Sequence, residues 1–139
     1  MKKITCMLLV MLMLLGTLTA CMDKEPDPLA LAKALDAEDY TVQMMVDDEQ
    51  IGDVADELEI RAKGITCVLP ACPNEGKDDD KIGIFIFCDS TDIAEDMIED
   101  LEAFADKEED LLDNIVRCII ERSGKMVFIG CEDAWEDAQ

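Results

Sequence analysis

Histidine is absent from all 139 residues. That absence removes the commonest general base and a common metal ligand together. Aromatic residues are scarce, with four Phe, one Tyr and one Trp. Basic residues are scarce too, 12 against 34 acidic, for a formal net charge of −22. Proteins hold nucleic acid by neutralising phosphates with Lys and Arg, so this balance excludes nucleic acid as a partner. No G-x-S-x-G, no phosphate-binding G-x-x-x-x-G-K and no dinucleotide G-x-G-x-x-G occurs. C-x-x-C is also missing, and with it the usual spacing of zinc and redox thiols. Glu95 and Glu99 would share a helix face, but that helix is acidic throughout, so the pair is not distinctive. Together these gaps argue against an enzyme. No catalytic residue, metal ligand or cofactor is expected.

What the chain does have begins at its start. Met1-Lys2-Lys3 is a short positive segment, followed by an apolar run from Ile4 to Leu15 that Gly16 and Thr17 break. The run is too short for a permanent membrane helix, which needs roughly 20 apolar residues. The layout is that of a secretory signal peptide over residues 1–20. It ends in Leu18-Thr19-Ala20-Cys21, an aliphatic residue, two small residues and a cysteine. This segment resembles the lipobox of bacterial lipoprotein precursors at all four positions. The resemblance implies cleavage between Ala20 and Cys21 and a diacylglyceryl group on the Cys21 thiol. It also implies localisation at the cell membrane, lipid-anchored, on the extracytoplasmic face. Two acyl chains hold a protein stably where one binds only reversibly. Cys6 lies within the leader and would be discarded.

Loss of Lys2 and Lys3 with the leader takes the net charge from −22 to −24. The remaining chain is the length of one small domain. Residues 21–28 read as the lipidated N-terminus and a short polar linker, and residues 29–139 as a single acidic domain. Its apolar residues fall in periodic runs, which separates it from an acidic disordered chain.

Asp27 and Pro28 offer an N-cap and a first helical residue to a helix over Leu29 to Leu35. Tyr40 to Val46 alternates as a half-buried strand. Asp47 and Asp48 can cap a helix over Ile51 to Ala62, with Gly64 as its stop signal. Ile65 to Leu69 reads as a strand ended by Pro70, and a loop runs on to Lys81. Ile82 to Cys88 is apolar on both faces and belongs in mid-sheet. Asp89, Ser90 and Thr91 precede a helix striped by Ile93, Met97, Leu101 and Phe104, which breaks near Lys107 and resumes at Leu111. Val116 to Glu121 and Lys125 to Gly130 flank a hairpin turn, and Glu132 to Ala138 closes as a helical turn.

The expected fold is an α+β, ferredoxin-like sandwich: an antiparallel sheet, two helices on one face and a C-terminal β-hairpin. Its two halves repeat strand, acidic turn and amphipathic helix (YTVQMMVDDEQIGDVADELE and IGIFIFCDSTDIAEDMIEDLE). With its lipobox, acidic helices and closing segment from Val127 to Ala138, the chain is similar to small uncharacterised lipoproteins of Gram-positive bacteria. That resemblance implies a location and no chemistry.

Five cysteines follow Cys21: Cys67, Cys72, Cys88, Cys118 and Cys131. Cys67 and Cys118 sit at apolar strand positions and read as buried thiols acting as small hydrophobes. One or two disulfides in an exported protein is the other reading. If Ser123-Gly124 is a two-residue turn, Cys118 lies opposite Ile129 and diagonal to Cys131. The acidic runs Asp47-Asp48-Glu49, Asp78-Asp79-Asp80 and Glu108-Glu109-Asp110 lack the alternate spacing of a calcium loop and read as solvated surface. On Ile82 to Cys88, Phe85 and Phe87 face opposite to the isoleucines. They are expected either on an open sheet face or beneath the C-terminal segment or a second copy of the chain. Two functions are thus in view. One is a non-catalytic binding or scaffold module whose partner is a basic envelope protein or peptide. The alternative is a cation- or small-ligand-binding lipoprotein.

Overall fold

The computed structural model describes residues 27–74, 81–112 and 118–139. The expected leader over residues 1–20, Cys21, the acidic run 78–80 and the first residues of the expected strand from Val116 lie outside them. Helix α1 spans Pro28–Ala37, with the Asp27 carboxylate accepting from the Ala30 amide at 3.3 Å as the N-cap. Strand β1 (Tyr40–Val42) follows, then α2 (Asp48–Glu57), capped by Asp47. Strands β2 (Ile65–Pro73) and β3 (Gly83–Cys88) lead to α3 (Thr91–Lys107), capped by Ser90. A one-turn helix α4 (Glu109–Leu112) precedes β4 (Cys118–Ser123), β5 (Met126–Cys131) and α5 (Glu132–Asp137).

Among the described residues the strands form one antiparallel sheet in the order β1-β2-β3-β5-β4, an open α+β sandwich whose last two strands are a hairpin. β1 takes the edge beside β2, and β5 takes the place beside β3 that β1 would hold in a split βαβ arrangement. Both faces are covered. On one, α2 and α3 pack Ile51, Ala55, Met97 and Leu101 against Val68, Ile86, Val127 and Ile129. On the other, α1 and α5 bring Leu31, Leu35 and Ala134 onto Phe85, Phe87 and Phe128. Phe85 and Phe128 are wholly buried and Phe87 nearly so, so the face that could have stood open is closed by the chain's own terminal helices.

Several boundaries differ from the sequence expectation, most of them for a backbone reason. β2 runs through Pro70 to Pro73. The Gln43 amide donates to the Pro70 carbonyl, but proline has no amide to return. β1 accordingly ends at Val42 and resumes only as a bridge between Met45 and Val68. α2 stops at Glu57, well short of Ala62, because Glu59 is left-handed at φ 56. There the Ile60 amide donates to the Ala55 carbonyl at 2.9 Å, a Schellman closure in which a glutamate stands where glycine is usual. Gly64 serves a different turn, at φ 88, where a Cβ would meet the Ile93 Cδ1 at 2.4 Å. Finally, the helix after α3 resumes at Glu109, not Leu111.

Candidate functional site

The strand directions give the sheet two ends. Pro28, Thr66, Asp89 and Lys125 gather at one, lining a cavity of about 220 Å³. This is the end at which the chain enters the domain. Pro70, Cys72, Ile82 and Gly83 lie at the other.

At that second end the helical cover on the aliphatic face runs out. α2 finishes with Leu58 as its C-cap and α3 is in its last turn at Phe104. The gap they leave over Pro70, Ile84 and Ile129 is a cavity of about 210 Å³. Its described walls carry no charged side chain. Ile82, 37% exposed, and the exposed Cys72 thiol stand at its mouth. Outside it, Glu57 and Glu59 flank Leu58 in sequence, and Asp106 follows Phe104; all three are exposed. Lys107 donates to the Glu59 carboxylate at 2.6 Å, and that bond raises the lysine's pKa. A third hollow, of about 310 Å³, lies between α3 and the connection after α2. It is bounded by Arg61, Lys63, Asp96 and Asp100, and Arg61 already pairs with Asp100 at 3.3 Å.

The thiols are scattered over this frame. All five described cysteines are free, with Cys67, Cys88 and Cys131 buried, Cys118 half-buried and Cys72 exposed. Burial pushes the pKa of Cys67, Cys88 and Cys118 upward, Cys88 to about 11, which suppresses the thiolate each would need for redox or metal chemistry. The two-residue turn is Gly124-Lys125, between Ser123 and Met126, so Cys118 faces Cys131 directly and Ile120 faces Ile129. Yet Cys118 packs with the aliphatic cluster and Cys131 with the aromatic one. Gly130, at φ 149, breaks the alternation just before Cys131; a Cβ there would point into the β3 backbone, 2.5 Å from the Gly83 Cα. Cys88 Sγ lies 3.9 Å from Met97 Sδ within the aliphatic core, an ordinary packing contact of two soft sulfurs.

The two acidic runs among the described residues have local structural roles. Asp47 caps α2, with Asp48 and Glu49 in its first turn, where the helix dipole favours negative charge. Glu108 is the C-cap of α3, and Glu109 and Asp110 open α4. Glu95 lies 3.6 Å from Arg122 of β4. Among the described residues no three Cys, Asp or Glu side chains converge on a point that could hold a metal ion. Among them, too, no helix is long and apolar enough to cross a membrane.

Sequence reasoning missed the cavity. It depends on α2 ending at Glu57, and the one signal for that end is a left-handed glutamate, which sequence does not mark. No protein-family model, no curated protein and no solved structure matches the chain.

Proposed function

We propose that the chain is a lipid-anchored, non-catalytic binding module of the cell envelope, held by Cys21 at the extracytoplasmic face of the membrane, whose partner is a basic protein or peptide. The observation that carries this reading is the placement of charge. Among the described residues no Asp, Glu, Lys or Arg side chain is buried, so the domain's acids lie on its outside. Active sites bury and oppose ionisable groups to tune them. A surface of one sign instead attracts partners of the other and speeds their encounter. The lipobox supplies the location and the net charge of −24 the polarity of the partner.

The test is a crosslinking pull-down with the lipidated protein at low and high salt. A reproducible partner recovered at low salt and lost at high salt is the expected result, because the Debye length shrinks to about 3 Å at 1 M. Turnover of a small substrate by the purified protein would overturn the reading. The anchor has its own control: Cys21→Ser is expected to abolish lipid labelling and leave an unprocessed precursor, and continued acylation of that variant would refute the assignment.

A further inference from the structure

The apolar cavity at the sheet end carries the binding reading one step further. Its size decides between occupants. At about 210 Å³ it falls below the roughly 300 Å³ at which pockets for whole small molecules begin, yet it has room for one large side chain. Its composition decides between contacts: the described walls include Leu58, Pro70, Ile84, Phe104 and Ile129, and none of the described lining residues is charged. Its surroundings decide the sign of whatever lies outside it. In sequence, exposed Glu57, Glu59 and Asp106 neighbour the wall residues Leu58 and Phe104, while Lys107 and Lys81, also close in sequence to the walls, pair with Glu59 and Asp133. Its position decides who can reach it. Only five residues lie between Cys21 and Asp27, a covalent reach of about 20 Å at most, so an anchor on Cys21 would keep the Pro28 end within that distance of the membrane. The cavity is at the opposite end of the strands.

We infer that this cavity is the docking point for one large apolar side chain of a lysine- or arginine-rich peptide segment in a partner protein. The inference rests on the binding-module reading above and names the place and the anchor. Interface energies concentrate in such anchors, with the charged surround setting encounter rate and orientation. An apolar socket on a chain of net charge −22 selects a basic segment that carries one leucine, isoleucine or phenylalanine.

The experiment uses the full lipidated chain in nanodiscs, with empty nanodiscs subtracted. The probes are two dye-labelled lysine peptides, one with a single central leucine and one with serine in its place, followed by fluorescence anisotropy. The leucine peptide is expected to bind about tenfold more tightly, the effect of burying one leucine side chain. N-ethylmaleimide on Cys72, the exposed thiol at the cavity mouth, is expected to erase that tenfold advantage and leave the weak serine-peptide binding unchanged. In Cys72→Ser the same treatment is expected to change nothing, which separates the cavity from the half-buried Cys118. Equal binding of the two peptides, or a leucine advantage that survives alkylation of Cys72, overturns the inference. Neither result touches the broader reading, which fails if the salt-sensitive pull-down finds no partner or if the purified protein turns over a small substrate.

Discussion

The two faces of the sheet are packed by different chemistry and by different parts of the chain. The aliphatic face is built from the middle. Val68, Ile86, Val127 and Ile129 meet the stripes of α2 and α3, both amphipathic helices of ten residues or more. The aromatic face is closed from the ends. Phe85 and Phe128 lie with ring centroids 4.7 Å apart, and Trp135 of α5 stacks on Phe85 at 6.4 Å and lies tilted against Phe128 at 5.4 Å. α5 has only six residues, too few to be helical alone. It is held by what it covers, and by the Tyr40 hydroxyl donating to the Asp137 carboxylate at 2.9 Å. One face is therefore a core of interchangeable aliphatic shapes. The other is a ring cluster whose lid exists only while the rings are in place.

That contrast can be broken most directly at Phe128. Phe128→Ala should cost about 3–5 kcal/mol, read from the urea midpoint, because it empties a fully buried site and removes the surface on which α5 is seated. Ile86→Val, equally buried on the opposite face, should cost about 1 kcal/mol. Similar small losses from both would show that the aromatic face is not a core. The next largest effect belongs to Gly64. Gly64→Ala should cost about 2 kcal/mol, since φ 88 is strained for any residue with a Cβ and the new methyl would press on Ile93. Adding Ile93→Ala should relieve the pressure and leave the backbone strain, so the pair should be non-additive. A neutral Gly64→Ala would mean that α3 does not sit on the turn before β2.

Much of this was legible in the sequence because the signals were local. Asp27, the pair Asp47-Asp48 and the run Asp89-Ser90-Thr91 announced three helix starts, and Asp27, Asp47 and Ser90 are the residues that cap them. The period-two and helical runs gave the order of elements and the α+β class. The closing of the aromatic face was harder to read. Phe85 and Phe87 alternate with isoleucines, which says that two faces exist and not what covers each. The cover comes from segments far off in sequence, α1 and α5, so one alternative of the sequence reading held and no local signal chose it. Register failed for a similarly small reason. Moving the turn by one residue, from Ser123-Gly124 to Gly124-Lys125, changes the partner of Cys118 from Ile129 to Cys131. The cavity was out of reach, since it depends on where α2 stops.

The lid itself can be loosened at Tyr40. Burial first, then the hydrogen bond to Asp137, raises the phenol's pKa above its ordinary value near 10. A raised pKa means that the folded state prefers the protonated phenol. Its stabilisation is complete below about pH 10, the unfolded value, and is lost as pH rises beyond it. Tyr40→Phe should cost about 1 kcal/mol at neutral pH, the worth of one hydrogen bond to an exposed carboxylate. It should also flatten the alkaline fall in stability without abolishing it, because buried Cys88, raised to about 11, loses stability in the same direction. An unchanged alkaline profile in Tyr40→Phe would dissociate α5 from Tyr40.

The smallest effect is expected on the aliphatic face, at Glu59, and its sign is the informative part. The residue is left-handed at φ 56, a conformation in which a Cβ crowds the backbone. Glycine relieves that crowding, and helices commonly end on a glycine at this position. Two terms oppose the gain. Glycine is freer in the unfolded chain, a loss of about 0.4–1 kcal/mol where the native conformation suits both residues. The carboxylate that Lys107 holds is also removed, but both partners are exposed and water screens the pair. Because the native conformation does not suit glutamate, Glu59→Gly should raise stability by about 0.5 kcal/mol, measured by chemical denaturation. Repeating the substitution in Lys107→Ala isolates the ion pair, since there glycine loses no partner and the gain should be slightly larger. A clear loss in both backgrounds would mean that the Schellman closure does not end α2. The helix would then run on toward Ala62, as the periodicity alone suggests, and would cover the ground where the apolar cavity opens.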